Sequence, residues 1–504
     1  MRDTAEKFFN EEDAEIIEVF PEEDEDKEEE IVFWFKEGDV TKINREQFLV
    51  FLERAGFRKL FIGKDYIFIR IENNVVKEVS TVHIKDYVAN YVKGLGDDIE
   101  GGFSSREIWR KVINQVSNLF CKSFLELIPN LSGEFKRDTA SESFIYFKNC
   151  FVRITKDGYE AYNYEELDGY IWESQKFKRD FQCSETKSVF EDFILRICRE
   201  NPERYAAAKS VIGYLEHSYK DPANAKAIIF IDERIGDGAN GRCGKSLVGK
   251  AISKIRNVVD PGGKNFNFNR FMFQSIKPDT QIVFFNDVKK GFNFENLFSI
   301  ITDDMPIEQK QKDQVIIPFE NSPKILITTN YAMKGFDPST LDREYVFEFS
   351  DHYNEQHKPI HEFGKTFFGP WTKEEWNSFY NFMIVCLQYY LENGIVEYER
   401  INLFDKILIE STSEDFVEFI EDIELDRKYD NKELYNDYIE RYPEHKTDIA
   451  QKTLTNWVKT FAKIKGYMYT SKKSGKERGF ILQNPNNGRM DELKRGIDGE
   501  GDIF

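Results

Sequence analysis

Gly244-Lys245-Ser246 closes a glycine-rich stretch, GDGANGRCGKS, which follows the apolar run Ala227-Ile228-Ile229-Phe230-Ile231 and precedes a helical pattern. Residue types in this order suit a phosphate-binding loop. Gly236, Gly238, Gly241 and Gly244 let backbone N–H groups turn toward an anion without Cβ clashes. The following helix points its positive end at that anion. Lys245 then reaches the β- and γ-phosphates and the Ser246 hydroxyl binds Mg²⁺, the division of labour in G-x-x-x-x-G-K-[ST]. Ala239 stands where that pattern has its first glycine, a methyl tolerable at negative φ. The expected cofactors are ATP and Mg²⁺, with Asn240, Gly241, Arg242, Cys243, Gly244, Lys245 and Ser246 as the cofactor-binding set.

Two further strands decide what the loop is used for. Gln281-Ile282-Val283-Phe284-Phe285 ends in Asn286-Asp287. A carboxylate at the ligand edge of a parallel sheet holds Mg²⁺ directly or through water, so Asp287 is the metal candidate beside Ser246. Asn286 positions water but cannot accept its proton. Phosphoryl transfer rests mainly on positioning and charge stabilisation. Lys324-Ile325-Leu326-Ile327-Thr328-Thr329 leads to Asn330, whose amide suits a γ-phosphate or the lytic water.

The elements that must position these groups emerge from the rest of the chain. With 504 residues there is room for about three domains at roughly 150 residues each. Residues 1–30 hold 15 acids and 3 bases, which accounts for most of the net charge of −20. That stretch reads as a disordered acidic tail, either a solubility segment or a contact for a basic partner. An α+β accessory domain is expected over 31–185. It has a helix at Asn44–Ala55, a hairpin of Tyr66–Ile71 and Val75–Val79, helices at Thr81–Gly94 and Ser104–Ile128, and a hairpin of Ser143–Ile154 and Tyr159–Tyr164. Residues 186–222 carry helical stripes, Phe190/Phe193/Ile194/Ile197 and Ala206/Val211/Tyr214/Leu215, that read as a helical collar or a plain packing pair. Residues 223–405 form the α/β nucleotide-binding core, with a helix from Thr372, capped by Glu375, to Gly394.

Residues 413–485 read as three helices and a two-stranded basic wing, a winged helix, before a flexible tail at 486–504. Between 446 and 478 nine Lys/Arg face two acids. Leu454, Trp457, Val458, Phe461 and Ile464 pack inward, and Lys452, Asn456, Lys459 and Lys463 share the outer side. That side suits a duplex, with Lys472, Lys473 and Lys476 of the wing on adjacent phosphates, although winged helices also bind proteins. Six scattered cysteines without a C-x-x-C pair suit a reducing compartment. No leader pattern and no apolar run of about 20 residues is present, so a soluble cytoplasmic protein is expected, with no membrane partner. His352, His357 and His361 read as ordinary loop histidines.

The order Gly-Lys-Ser, an apolar strand with Asn286-Asp287, then Ile327-Thr328-Thr329-Asn330 resembles motifs A, B and C of the superfamily 3 helicases. The segments FNFNRFMFQSIKPDTQIVFFNDV, FENLFSIITDDMPIEQKQKDQ and SPKILITTNY are similar to the poxvirus-type primase-helicases and their phage and mobile-element relatives. The resemblance covers 186–350 and implies an AAA+-like core in a homo-hexameric ring on single-stranded and forked DNA, with ATP between subunits. It implies that Arg343, in Leu341-Asp342-Arg343-Glu344, acts on the neighbour's nucleotide, and that Lys310 and Lys312 line the pore at a hairpin tip. Host cytoplasm is implied for a phage-encoded chain. Primer synthesis, if coupled, resides in a separate primase or polymerase. Two other functions fit the residues: an NTP-dependent DNA-binding switch or loader without processive unwinding, and a DNA-binding protein with a degenerate loop.

Overall fold

The computed structural model describes residues 31–63, 65–234, 242–266, 268–308, 314–331, 338–474 and 477–484. The acidic tail, the C-terminal tail, Asn240, Gly241, Lys310, Lys312 and Lys476 lie outside the described residues. The chain divides into two compact units, one of residues up to Lys59 with Val79–Pro129, the other of Leu60–Glu78 with Asn130 onward. The stretch expected to form one accessory domain over 31–185 therefore contributes to both.

In the first unit the helix Arg45–Arg54 starts where Asn44 accepts from the amides of Glu46 and Gln47 at 3.0 and 3.2 Å, a side-chain N-cap. It buries Phe48, Phe51 and Leu52 around Phe33. The single helix expected over Ser104–Ile128 is broken into Ser105–Asn114, Val116–Leu119 and Lys122–Leu125. Asn114, Ser117 and Asn118 favour local side-chain hydrogen bonds over continued helix, and Cys121 adopts an extended backbone.

The second unit is built on a parallel sheet. Its strands are β1 (Ala227–Asp232), β2 (Val258–Val259), β3 (Ile282–Val288), β4 (Lys324–Thr329) and β5 (Glu344–Phe349), in the order β2-β3-β4-β1-β5. Every pairing is parallel. Both faces are covered, which is why β1 and β4 are buried along their whole length and carry the apolar runs 227–231 and 325–327. Helices α1 (Val189–Ile197), α2 (Pro202–Glu216), α3 (Lys245–Ile252) and α4 (Lys373–Asn393) lie on the face bearing Phe230, Phe284, Leu326 and Phe347. Ile229, Phe285, Ile325 and Ile327 fill the other core.

The stripes on α1 and α2 are consumed inside the chain, in the same apolar core as α4 and the sheet. A Cβ on Gly213 of α2 would stand 2.2 Å from the Cys386 carbonyl oxygen of α4, so the two backbones touch there. Helix α4 begins as its sequence signals: Thr372 Oγ1 accepts from Glu375 N at 3.2 Å, and Glu375 Oε2 accepts from Thr372 N at 2.9 Å.

Residues 143–162 form a three-strand meander, Ser143–Tyr146, Phe151–Thr155 and Gly158–Tyr162, rather than the expected two-strand hairpin. The apolar stretches 144–147 and 150–152 are separated only by Lys148-Asn149, with no Gly or Pro to announce the turn. There the amide of Phe147 donates to the Cys150 carbonyl, and Asn149 Oδ1 accepts from Phe181 N.

The C-terminal module contains helices Glu414–Ile420, Asn431–Arg441 and Gln451–Lys465. The short strand Lys428–Asp430 joins Glu477–Gln483 and Met468–Ser474 in one antiparallel sheet. Leu454, Val458 and Phe461 are buried, as expected, whereas Trp457 and Ile464 are half-buried and Ala462 takes a core place. No helix among the described residues is long and apolar enough to cross a membrane.

Beneath the amino-terminal ends of the strands lies a buried polar cluster. Asp138 accepts from Ser143 Oγ, Phe144 N and Ser218 N at 2.7–2.8 Å and lies 3.5 Å from Arg256 Nη2. Burial pushes the His217 imidazole down to about 4, against the attraction of Asp138 and with help from Lys324 and Arg256. The unfolded value is about 6.5, so between these limits the unfolded chain binds more protons and stability falls as pH falls. Going from pH 7 to pH 5 should cost about 2 kcal/mol through His217. Glu216 titrates with the opposite sign, because burial raises its carboxyl. The readout is therefore the difference in unfolding midpoint between parent and His217→Gln at the two pH values. Equal pH responses would remove His217 from the balance.

Candidate functional site

The carboxyl ends of β3 and β4, the start of α3 and Pro359 line an open cavity of about 430 Å³. Gly244 caps α3 at φ 102°, and a Cβ there would also meet the Phe193 ring at 2.5 Å, so conformation and space both require glycine. Lys245 follows, only 7% exposed. Its ammonium lies 2.6 Å from Asp232 Oδ1 and donates to Asn330 Oδ1 at 2.6 Å. It is thus aimed along the strand ends and held by exchangeable partners.

Ser246 donates its hydroxyl to Asn286 Oδ1 at 2.7 Å, and Thr328 Oγ1 donates to the same oxygen at 3.0 Å. An amide oxygen with both lone pairs engaged leaves Asn286 only N–H groups to offer. It cannot ligate a cation, which makes Asp287 the carboxylate among the cavity-lining residues.

Regular alternation would turn consecutive side chains to opposite faces of the sheet. Here β3 carries a bulge: Phe285 pairs with Ile327 and Val288 with Thr329, so Asn286 and Asp287 together oppose Thr328. Asp287 adopts φ 57°, and its amide donates to Thr328 Oγ1 at 2.8 Å. Both residues therefore line the cavity. The Asp287 carboxylate is half exposed and 3.9 Å from Lys264 Nζ.

Three contributors were not singled out from sequence. Asp232 receives Lys245 and the Cys243 thiol, and the Lys406 ammonium donates to its carbonyl. Its signal is a carboxylate ending an apolar strand. Thr328, inside the Ile327-Thr328-Thr329-Asn330 motif, ties β4 to the bulge. Glu355 pairs with Arg242 at 2.9 Å. Burial pushes the Cys243 thiol up to about 12, so it stays protonated, a hydrogen-bond donor to Asp232 and not a nucleophile.

Arg343 ends the helix Pro338–Arg343 and does not line this cavity. Its guanidinium rests 5.0 Å over the Phe298 ring and donates to the Ser339 carbonyl at 3.0 Å. Met305–Ile307 and Val315–Ile317 pair antiparallel, and Lys310 and Lys312 fall in the sequence between these two strands, outside the described residues. In the C-terminal module Lys452, Lys459 and Lys463 are exposed on Gln451–Lys465, and Lys472 and Lys473 are exposed on Met468–Ser474. Lys459 Nζ lies 5.5 Å over the Tyr469 ring, which links the helix to the strand Met468–Ser474.

Fold and site together define a mixed α/β protein with a five-strand parallel sheet consistent with a P-loop core. Residues 236–343 match DUF5906, a family of unknown function. The chain is similar to the apo structure of the NrS-1 C terminal region (305-718), at TM-score 0.40 and 14% identity, over 87% of this chain and 98% of that one. It is similar to the A form apo structure of the same region at TM-score 0.40 and 14% identity, over 87% and 99%. No curated protein matches.

Proposed function

We propose that the chain is an ATP-dependent DNA helicase of the superfamily 3 type, working as a homo-hexameric AAA+-like ring on single-stranded and forked DNA. The observation that carries this reading is the convergence of Lys245, Ser246, Asn286, Asp287 and Asn330 on one cavity at the strand ends. Lys245 and the loop bind the triphosphate, Ser246 and Asp287 hold Mg²⁺, and Asn286 positions water. Asn330 trades Lys245 for the γ-phosphate or the water. Arg343 acts on the neighbouring subunit's nucleotide, which agrees with its place outside its own cavity. Lys310 and Lys312 track the strand, and the 413–485 module is a winged helix laying Lys452, Lys459, Lys463, Lys472, Lys473 and Lys476 on phosphates. A separate primase or polymerase supplies primers.

A forked-duplex assay tests this. Strand separation should appear with ATP and Mg²⁺ and vanish with a non-hydrolysable analogue. DNA-stimulated hydrolysis without separation would instead establish the second reading, an assembly switch or loader. Asn286 favours that reading, because it leaves the cavity lining without a second carboxylate beside Asp287. No hydrolysis at all would overturn both.

A further inference from the structure

Two histidines expected to be ordinary loop residues converge on one carboxylate oxygen. Glu362 Oε2 lies 2.9 Å from His352 Nε2, 3.4 Å from His357 Nε2 and 2.9 Å from the Tyr353 hydroxyl. The other oxygen, Oε1, accepts from Arg196 Nε at 2.9 Å. A carboxylate oxygen offers two lone pairs. The phenol, a donor here, fills one, and two imidazoles are left to share the other. A cation between them resolves the conflict, because each neutral imidazole then presents its own lone pair and Oε2 presents its remaining one.

We propose that His352, His357 and Glu362 form a binding site for a divalent transition metal of the zinc class. The three ligand atoms lie within 4.8 Å of one another. Bonds of about 2.0–2.1 Å at tetrahedral angles separate ligand atoms by about 3.4 Å, so closure needs the Glu362–His352 pair to open by about half an ångström while Glu362–His357 already has that spacing. Two imidazoles and a carboxylate suit Zn²⁺, Co²⁺ or Ni²⁺ over Ca²⁺ or Mg²⁺. The side chains are 35%, 44% and 21% exposed, which leaves an entry path and a fourth position for water.

The surroundings are built to orient the ligands. Arg196 fixes the carboxylate from behind, the kind of outer contact that tunes metal sites. Tyr353 is buried and stacked on Phe193 at 5.4 Å, and Asn354 Oδ1 accepts the amides of Gln356 and His357. His361, by contrast, turns to the Gln356 carbonyl and stays out of the group. The segment so tied also supplies Glu355 to Arg242 of the phosphate loop and Pro359 to the cavity wall. A bound metal would brace that wall, and the site's existence does not depend on what the cavity binds.

The test uses the full chain, stripped with chelator and without nucleotide, titrated with ZnCl₂ by calorimetry and with CoCl₂ by visible absorption. The parent should bind one more Zn²⁺ per chain than His352→Gln/His357→Gln, show Co²⁺ d–d bands that this variant loses, and gain thermal stability with Zn²⁺ where the variant does not. Glu362→Gln, as an independent single change, should weaken Co²⁺ binding about 100-fold. Equal stoichiometry in parent and double variant, or a Co²⁺ affinity of Glu362→Gln equal to the parent's, would leave a purely hydrogen-bonded cluster and overturn the proposal.

Discussion

Asp287→Asn should lower ATP turnover about 100-fold at limiting Mg²⁺ while leaving Mg²⁺-free nucleotide binding unchanged. The substitution is isosteric, and asparagine tolerates the left-handed backbone that Asp287 holds at φ 57°, so the bulge should survive. What disappears is the carboxylate that lines the same cavity as Ser246. A 100-fold loss corresponds to about 2.7 kcal/mol of transition-state stabilisation. The companion Asn286→Ala breaks the Ser246–Asn286–Thr328 chain without touching a charge, and should cost less. Steady-state hydrolysis over a Mg²⁺ series separates the two. For Asp287→Asn the Mg²⁺ requirement should rise, and for Asn286→Ala it should stay near that of the parent. Parent-like turnover of Asp287→Asn at limiting Mg²⁺ would remove Asp287 from the metal site.

That prediction rests on a feature the sequence does not display. Periodicity announced β1, β3 and β4 because their apolar runs have both faces buried, and it placed Asn286-Asp287 and Asn330 at strand ends. It could not show the bulge opposite Thr328, since one extra residue leaves no mark on hydrophobic pattern. Nor could it show that Asn286, and not Asp287, accepts the Ser246 hydroxyl. The capping box at Thr372 and Glu375 was legible because it is local, four residues satisfying their own backbone. The convergence of His352, His357 and Glu362 was not, because it depends on how an irregular segment folds over α1, where Arg196 and Phe193 receive it. The break at Gln115–Cys121 was missed for a related reason: individual Ser and Asn preferences are weak beside a long apolar stripe.

Lys324→Met should destabilise the second unit by about 2–5 kcal/mol, more than any change at its exposed lysines. Lys324 opens β4 and is 2% exposed. Its ammonium donates to the carbonyls of Tyr214 and His217 at 2.8 and 2.6 Å, the unsatisfied end of α2, and lies 3.8 Å over the Tyr214 ring. Methionine keeps the stem's volume but withdraws both donors, leaving two buried carbonyls without them at about 1–3 kcal/mol each. Burial drives the Lys324 pKa well below the ordinary lysine range, against the attraction of Asp138. The strand's other end carries Thr328 and leads to Asn330, about 20 Å away at about 3.3 Å per residue. Nucleotide affinity of the folded variant should therefore match the parent, which separates a prop under the sheet from a group in the cavity. Calorimetric unfolding of Lys324→Met beside Lys452→Met checks this. Coincident midpoints would show that α2 finds other donors, while an altered nucleotide affinity would show that the two ends of β4 are coupled.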